Sequence, residues 1–372
     1  MADPLALPAA ALAAYLEAHV AGFRGPLTAA KFKGGQSNPT YLIEAASGRY
    51  VLRRKPSGKL LASAHAVDRE FRVLSALSDA GRASAALRGS SVPVAQPLHL
   101  CTDDAIVGSM FYLMAYVPGT IHWDPALPDL EPAARAAHFD AAIDTLAALA
   151  RLDIEAAGLA DYGRPGNYFA RQVARWTEQY RAAQTERIEA METLAEALPR
   201  GVPADDVRVA LVHGDFRIDN LIWSLPAIHG LRDTGASCPA DPSIELPTIA
   251  AVVDWELSTL GHPFADIAYF CMALRLPRNP VLPGLAGIDR AAAGIPSEEA
   301  MIDRFGAATG VDPRPHWNFL LAFQFFRLAA IAQGVLKRSL QGNASSEHAL
   351  MAGRMTRAIA ALGAERIGAG SG

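Results

Sequence analysis

Short apolar runs separated by polar turns fill residues 30–115, and this pattern predicts strands. One segment among them has helical spacing instead, and it predicts an amphipathic helix over residues 63–78 with Ser63 as its N-cap. The apolar stripe of that helix consists of Val67, Phe71, Leu74 and Leu77. Residues 1–25, rich in Ala and Leu, predict a further helix before the strands.

Helical patterns dominate from about residue 131 onward. They cover residues 131–152, residues 167–198 and several segments after residue 265. The most apolar stretch, residues 319–332, contains Gln324 and Arg327 and is too short to span a bilayer, so it predicts a buried helix. Pro, Gly, Asp and Ser interrupt the pattern in residues 224–245, an insertion that we interpret as a surface loop, with a substrate lid as the alternative.

A polar turn between two apolar runs carries the first candidate chemistry. His213-Gly214-Asp215 follows one run, and Asn220, five residues after the Asp, precedes the other. A rigid turn that offers one carboxylate and one amide oxygen suits phosphoryl transfer, because the carboxylate accepts the proton of an attacking hydroxyl and the amide helps to hold magnesium. The alternative is a loop in which Asp215 and Asn220 only stabilise turns.

A second acidic position follows another apolar run. Residues 249–253 end in Asp254, which is followed by Trp255 and Glu256. Magnesium takes one or two protein carboxylates together with substrate phosphates, and Asp254 at the end of a buried strand could supply one. A strand terminus with Glu256 capping the next helix is the alternative, but the two acidic motifs together favour a shared metal site.

These two motifs resemble the catalytic signature of the aminoglycoside phosphotransferase family, relatives of choline kinases and of protein kinases. The resemblance implies an α+β, bilobal protein-kinase-like fold. The N-terminal lobe, residues 1–115, would hold a small antiparallel sheet and one key helix, and residues 116–372 would form a larger, mainly helical lobe. Asp215 would then be the catalytic base, while Asn220 and Asp254 would be magnesium ligands.

The same resemblance assigns nucleotide-binding positions in the N-terminal lobe. A turn with Gly34, Gly35 and Ser37 would approach the phosphates, although a plain hairpin explains it as well. Arg53 stands where kinases have Lys, which leaves Arg54 and Lys55 as alternatives, and Glu70 of the predicted helix would be its partner. The hinge that reads adenine would consist of Met114, Ala115, Tyr116 and Val117. ATP is the expected nucleotide, with GTP left open, and Mg²⁺ is the expected ion.

Two further residues of the resemblance have supporting parts. His213 and Asp266 would stabilise the catalytic loop through hydrogen bonds rather than contact the substrate. No A-P-E segment follows the second acidic motif, so a small-molecule hydroxyl is a better acceptor than a protein.

Composition limits the alternatives. A formal net charge of -4 and the absence of a basic stripe with aromatics argue against nucleic-acid or membrane partners. Three cysteines, Cys101, Cys238 and Cys271, are far apart and fit neither a disulfide framework nor zinc spacing. With no signal-peptide pattern at residue 1, we expect a cytoplasmic protein of undetermined oligomeric state.

The acceptor is less defined. Acidic and basic residues alternate after Asp254, which is not a convincing trap for a polycationic antibiotic. Residues 50–70 resemble the kinase-like domain fused to some acyl-CoA dehydrogenases, which implies a hydroxyacyl-CoA acceptor held by Lys55 and Lys59. Pro/Gly-rich residues 276–296 would border its pocket. The alternatives are a true aminoglycoside antibiotic kinase and a nucleotide-binding pseudokinase scaffold.

Overall fold

The computed structural model describes residues 7–32, 38–56, 66–86, 91–204, 207–224, 246–279, 282–341, 351 and 353–368. The predictions for Gly34, Gly35, Ser37, Lys59 and Ser63 lie outside these residues, as do residues 225–245 of the insertion.

A five-stranded antiparallel sheet forms the N-terminal part of the fold. Its strands are β1 (Leu27–Lys31), β2 (Thr40–Ala45), β3 (Gly48–Arg54), β4 (Pro97–Cys101) and β5 (Phe111–Ala115), in the order β1-β2-β3-β5-β4. The alternating pattern fixes the register, because it places Leu52 opposite Tyr41 on one side and Leu113 on the other. The sheet ends at Ala115, and the predicted lobe boundary after this residue stays a prediction.

Helices cover both faces of this sheet. On one face, Leu12 and Leu16 of α1 (Ala9–His19) pack with Ile43 and Leu52 in a small hydrophobic cluster. On the other face lies α2 (Val67–Ala86), whose buried apolar stripe joins the main core of the molecule. This arrangement points the beginning of α2 towards the polar face of β3.

The rest of the described chain is mainly helical. Its helices are α4 (Pro132–Arg151), α5 (Tyr168–Ala183), α6 (Glu189–Ala197), α7 (Phe264–Met272), α8 (Arg290–Ala293), α9 (Glu298–Thr309), α10 (Trp317–Leu340) and α11 (Thr356–Gly368). Two small antiparallel sheets lie between them and the N-terminal sheet. One pairs β7 (Ala210–Val212) with β10 (Thr259–Gly261), and the other contains β6 (Thr120–Ile121), β8 (Leu221–Trp223) and β9 (Ile249–Val252).

Several predicted element bounds were wrong. The helix predicted over residues 63–78 continues to Ala86, and the helix in residues 1–25 is limited to α1. A second short helix, α3 (Asp104–Val107), stands among the strands because the Asp103 side chain accepts a hydrogen bond from the Ala105 N–H at its start.

The helix predicted over residues 167–198 is also broken, into α5 and α6. Side chains of α10 supply the reason, because they bind the free carbonyl groups at the end of α5. Lys337 donates to the Ala182 carbonyl at 2.6 Å, and Gln333 donates to the Ala183 carbonyl at 3.2 Å and to the Thr185 hydroxyl at 2.8 Å. Tertiary contacts therefore end α5 without a local stop signal.

The apolar stretch of residues 319–332 lies within α10, as a buried helix was predicted to. The longer segment that contains it, residues 314–340, is long and apolar enough to cross a membrane by length and composition only, because an 18-residue window within it has a mean hydropathy of 1.7. In the fold, however, 78% of that window is buried. Its polar residues are used internally: Gln324 donates to the Ala265 carbonyl at 2.7 Å, and Arg327 donates to the Gly214 carbonyl.

Candidate active site

The loop between β7 and β8 presents the first candidate group, and its shape requires a glycine. Gly214 has a φ of +85°, in the left-handed region that side chains disfavour. A Cβ at this position would lie 2.8 Å from the Leu257 carbonyl oxygen. The backbone therefore turns tightly at Gly214, and Asp215 directly follows that turn.

Asp266 holds the loop between β7 and β8 in place through hydrogen bonds. Its carboxylate accepts the backbone N–H of His213 at 2.7 Å and that of Gly214 at 2.9 Å. Burial raises the pKa of Asp266, while His213 and the two N–H donors act against that rise. The predicted supporting role of Asp266 through hydrogen bonds therefore matches its geometry.

His213 connects the loop to the second acidic motif. Its Nδ1 accepts the Asp215 backbone N–H at 3.1 Å, so the proton must be on Nε2, which donates to the Val253 carbonyl at 3.0 Å. Through this single tautomer, His213 links the carbonyl of Val253, the residue before Asp254, to the backbone N–H of Asp215, the candidate base. Both ring nitrogens of His213 are therefore committed to hydrogen bonds within the protein.

Asp215 itself is surrounded by donors. The Tyr269 hydroxyl donates to Oδ1 at 2.6 Å, and Asn220 Nδ2 donates to Oδ2 at 3.2 Å and to the Asp215 carbonyl at 2.8 Å. Arg217 Nε lies 3.8 Å from Oδ1. Burial alone would raise the pKa of Asp215, but the charge of Arg217 and the hydrogen bond from Tyr269 outweigh it and lower the pKa. The carboxylate is therefore ionised at neutral pH and ready to accept a proton.

Asp254 occupies a strained backbone position beside this loop. It has φ 67° and ψ 61°, a left-handed conformation that costs about 1–3 kcal/mol in a residue with a side chain. The neighbouring Val253 N–H donates to the Asn220 carbonyl at 2.9 Å, which aligns the ends of β8 and β9. The two predicted magnesium ligands, Asn220 and Asp254, are thus brought together on adjacent strand ends.

Arg53 connects the N-terminal sheet to Asp254. Its Nε lies 2.9 Å from Glu70 Oε2, although that N–H is not aligned as a hydrogen bond, and its Nη2 lies 2.5 Å from Asp254 Oδ1 and 3.3 Å from Glu256 Oε2. Burial would lower the pKa of Arg53, but the carboxylates around it, Glu70 and Asp254 first, raise it instead. One guanidinium therefore serves three acids at once, which a Lys at this position could not do.

Glu70 is held by other donors as well. Asn38 Nδ2 donates to Oε1 at 2.7 Å, and the Tyr112 hydroxyl donates to Oε2 at 3.1 Å. Burial raises the pKa of Glu70 to about 7, against the opposing charge of Arg53. The predicted pairing of Glu70 with the basic strand is present in the structure.

Arg53 faces this site, whereas Arg54, the last residue of β3, does not. Arg54 points to the opposite face, where Nη1 donates to the Val107 carbonyl at 2.8 Å. The Lys55 carbonyl accepts the Ser109 hydroxyl at 2.7 Å, which binds this end of the strand to the segment before β5. The side-chain alternation along β3 thus separates Arg53 from Arg54.

The predicted hinge lies at the end of β5. Met114 pairs with Val51 in the sheet, and the Ala115 N–H donates to the Gln96 carbonyl at 2.8 Å. The Tyr116 N–H donates to the Arg49 carbonyl at 3.4 Å. Because these two N–H groups are committed to the protein, a nucleotide edge would be read by the other backbone groups of the hinge, including those of Val117.

An apolar pocket opens next to Asp215. About 620 Å³ of empty space, part of it open to solvent, lies among side chains that are apolar apart from Arg217, Asp219 and Tyr269. The lining includes Phe216, Phe270, Leu276, Leu282, Leu285 and Met301. The segment predicted to border a pocket, residues 276–296, does so through its described leucines.

Sequence reasoning missed the importance of Tyr269 and Arg217. Tyr269 lies three residues after Asp266 on α7, so helical periodicity places both on one side of the helix and could have indicated a shared target. Arg217 lies two residues after Asp215, within the motif itself. Its position in the sequence could have indicated a positive charge beside the carboxylate.

Comparisons with known proteins agree with this geometry. A sequence model of the APH family, described as the phosphotransferase enzyme family, matches residues 28–301. Acyl-CoA dehydrogenase family member 10 of Mus musculus is 45% identical over 360 residues, covering 96% of this chain and 31% of the mouse protein. Acyl-CoA dehydrogenase family member 11 of Homo sapiens is 38% identical over 357 residues, covering 95% of this chain and 42% of the human protein. This chain therefore spans less than half the length of these relatives.

Solved structures give the same result for the fold. A Ralstonia eutropha protein described as an aminoglycoside phosphotransferase is 40% identical, with a TM-score of 0.79 over 96% of this chain and 98% of that chain. Spectinomycin phosphotransferase APH(9)-Ia, solved with ADP and spectinomycin, shares the fold at 12% identity, with a TM-score of 0.56 over 97% of this chain and 99% of that chain. The predicted α+β, bilobal protein-kinase-like fold is confirmed.

Proposed function

This chain belongs to the phosphotransferase enzyme family, and we propose that it transfers the γ-phosphate of ATP to a hydroxyl group of a small molecule. One observation carries the proposal: an ionised carboxylate, Asp215, lies beside two oxygen-bearing residues, Asn220 and Asp254, on adjacent strand ends. Phosphoryl transfer needs this combination of a proton acceptor and phosphate-side ligands.

The residues fit a magnesium ion that is shared with the substrate. Among the described residues, no group of three or more His, Cys, Asp or Glu side chains could hold a metal by itself. Magnesium in kinases takes few protein ligands, however, because the nucleotide phosphates provide the others. Asp254 and Asn220 would hold it, and when bound the ion would neutralise charge on the phosphates.

Asp215 performs the proton transfer in this mechanism. The acceptor hydroxyl hydrogen-bonds to its carboxylate, which takes the proton as the oxygen attacks phosphorus. Tyr269 and Asn220 hold the carboxylate in place, so the group does not have to reorganise during the reaction. Arg53 adds positive charge on the nucleotide side, where negative charge accumulates.

The pocket supports an aliphatic acceptor. A polycationic antibiotic needs several carboxylates around its amino groups, whereas Leu276, Leu282 and Leu285 offer apolar surface beside Asp215. A hydroxylated acyl chain fits such a lining, with its hydroxyl at Asp215. The similarity to acyl-CoA dehydrogenase family members 10 and 11 points in the same direction, and we propose a hydroxyacyl-CoA thioester as the acceptor.

A panel of acceptors tests this proposal. Purified protein with ATP and magnesium is given kanamycin, choline and a hydroxyacyl-CoA, and phosphorylated products are measured by mass spectrometry. We expect transfer to the hydroxyacyl compound alone. Phosphorylation of kanamycin with an inert thioester would contradict the acceptor, and nucleotide binding without any transfer would favour a scaffold.

Substitution of the base tests the mechanism. Asp215→Asn should lower kcat at least about 1000-fold, because an amide cannot accept the proton, while ATP binding remains close to wild type. Asp312→Asn, at an exposed carboxylate before α10, serves as the matched control and should keep full activity. Near-normal turnover in Asp215→Asn would remove the assigned base.

A further inference from the structure

An exposed tryptophan stands beside the apolar pocket. Trp123 is the second residue after β6 and is 66% exposed, the highest exposed fraction of any large aromatic side chain among the described residues. A tryptophan ring offers a large apolar face together with an N–H donor, which suits contact with a planar ligand. In the mechanism above, Trp123 has no part.

Trp123 forms one wall of a surface cleft that continues the acceptor pocket. Asp124, Arg278 and Asn279 line the rest of this cleft with Pro283, and Pro283 also lines the apolar pocket. Pro125, the second residue after Trp123, lines the pocket as well. A ligand that leaves the pocket past Pro283 would therefore enter the cleft that Trp123 lines.

Arg278 is fixed at the other side of the cleft. Its Nη2 donates to Asp124 Oδ2 at 2.7 Å, and Asp124 Oδ1 also accepts the Ala126 N–H at 2.9 Å. The Asp124 carboxylate is thus committed to internal bonds, and the guanidinium is held in one orientation. The two bonds to Asp124 use two of the five N–H donors of Arg278. The remaining edge of the guanidinium therefore suits a phosphate group.

We propose that the Trp123–Arg278 cleft binds the nucleotide end of a coenzyme A thioester, with the adenine ring on Trp123 and a phosphate at Arg278. This inference rests on the proposed hydroxyacyl-CoA acceptor and adds the part of the protein that recognises its head group. A planar heterocycle linked to phosphate matches both walls of the cleft, whereas the apolar pocket takes the acyl chain. The cleft then lets the enzyme select thioesters of coenzyme A over shorter thioesters with the same acyl group.

The first test compares two acceptors with the same acyl chain, a hydroxyacyl-CoA and the corresponding hydroxyacyl-pantetheine, which lacks the nucleotide. The measured quantity is the ratio of their kcat/KM values. Trp123→Ala should reduce the wild-type preference for the CoA ester about tenfold, or about 1.4 kcal/mol, as expected for loss of one base–aromatic stack. Arg278→Gln should also reduce it, while Trp123→Phe, which keeps a ring, should retain most of it.

A second test measures binding without turnover. Coenzyme A is titrated against protein saturated with ADP, so that the nucleotide site is filled, and tryptophan fluorescence is recorded. We expect saturable quenching that disappears in Trp123→Phe and persists in Trp317→Phe, which removes a half-buried tryptophan outside the cleft. Thermal unfolding of each variant confirms that the fold is retained.

The outcomes separate this inference from the proposed function. If wild type phosphorylates both thioesters equally well and coenzyme A does not quench Trp123, the cleft assignment is overturned and the acceptor class stands. If neither thioester is phosphorylated but coenzyme A still quenches Trp123, the acceptor proposal fails and the cleft assignment is supported. Absence of both transfer and quenching overturns both.

Discussion

Replacing Glu70 by glutamine measures how the buried ion pair at the centre of the site depends on pH. Glu70 is fully enclosed and contacts Arg53, Asn38 and Tyr112. Burial raises the pKa of its carboxyl from 4.5 to about 7. Glutamine has nearly the same shape, keeps an acceptor for Asn38 or Tyr112, and cannot titrate. The difference between the two proteins therefore isolates the titration of one group.

The sign and size of the effect follow from that pKa. Because the folded carboxyl binds its proton more tightly than the unfolded one, protonated Glu70 stabilises the fold fully below pH 4.5, and this stability is lost as the pH rises through about 7. About 2.5 pH units at 1.36 kcal/mol each correspond to about 3 kcal/mol. The free energy of unfolding of wild type, relative to Glu70→Gln, should fall by roughly this amount between about pH 4.5 and pH 8.

Urea unfolding of both proteins across this range provides the measurement. Other buried acids with raised pKa, such as Asp266, are present in both proteins and cancel in the difference. Glu189→Gln, at an exposed position at the start of α6, is the matched control for the exchange of Glu for Gln and is measured over the same range. A wild-type advantage that grows with pH would refute the reasoning, because it would mean that Arg53 and the two hydrogen-bond donors outweigh burial.

Three further substitutions test the remaining geometry. Tyr269→Phe removes a hydrogen-bond donor to the candidate base, so the pKa of Asp215 should rise and the acid limb of the pH profile of kcat/KM should move to higher pH. Activity at pH 7 should fall about tenfold. An acid limb that does not move would contradict this prediction. Gly214→Ala should lower the free energy of unfolding, measured by chemical denaturation, by about 2–4 kcal/mol, because a positive φ and a close carbonyl act together. Gly310→Ala, at a glycine with positive φ but open space around it, should lower it by only about 1–2 kcal/mol. Arg53→Lys should lower kcat about 10–100-fold, because one ammonium cannot serve the acids on both sides; wild-type rates would show that the fork is dispensable.

The sequence predicted those parts of the site that are encoded locally. Asp215 and Asn220 are fixed by one short loop, and Asp254 directly ends a strand, so spacing alone identified them. The alternation of side chains along β3 likewise placed Arg53 and Arg54 on opposite faces. The family resemblance supplied the pairing of Arg53 with Glu70, because the two positions belong to different elements.

The sequence did not predict features that depend on distant packing. α5 ends at Ala183 because Gln333 and Lys337, about 150 residues later, bind its last carbonyl groups. The pocket beside Asp215 similarly combines α7 with the segment after residue 276, and no local pattern shows that they meet. Periodicity reports which face of an element is apolar, but not which distant face will cover it.

The substitution of Arg for Lys at position 53 makes physical sense only together with Glu256. A kinase lysine at this position pairs with one glutamate, as Glu70 would provide. A guanidinium is larger, keeps its charge when buried, and offers N–H groups in several directions, so a third carboxylate satisfies it further. Glu256 lies 3.3 Å from the Nη2 that also contacts Asp254. Arg53 and Glu256 therefore act as one unit. Removing Glu256 should strengthen the ion pair between Arg53 and Asp254, which would weaken the binding of a magnesium ion by Asp254.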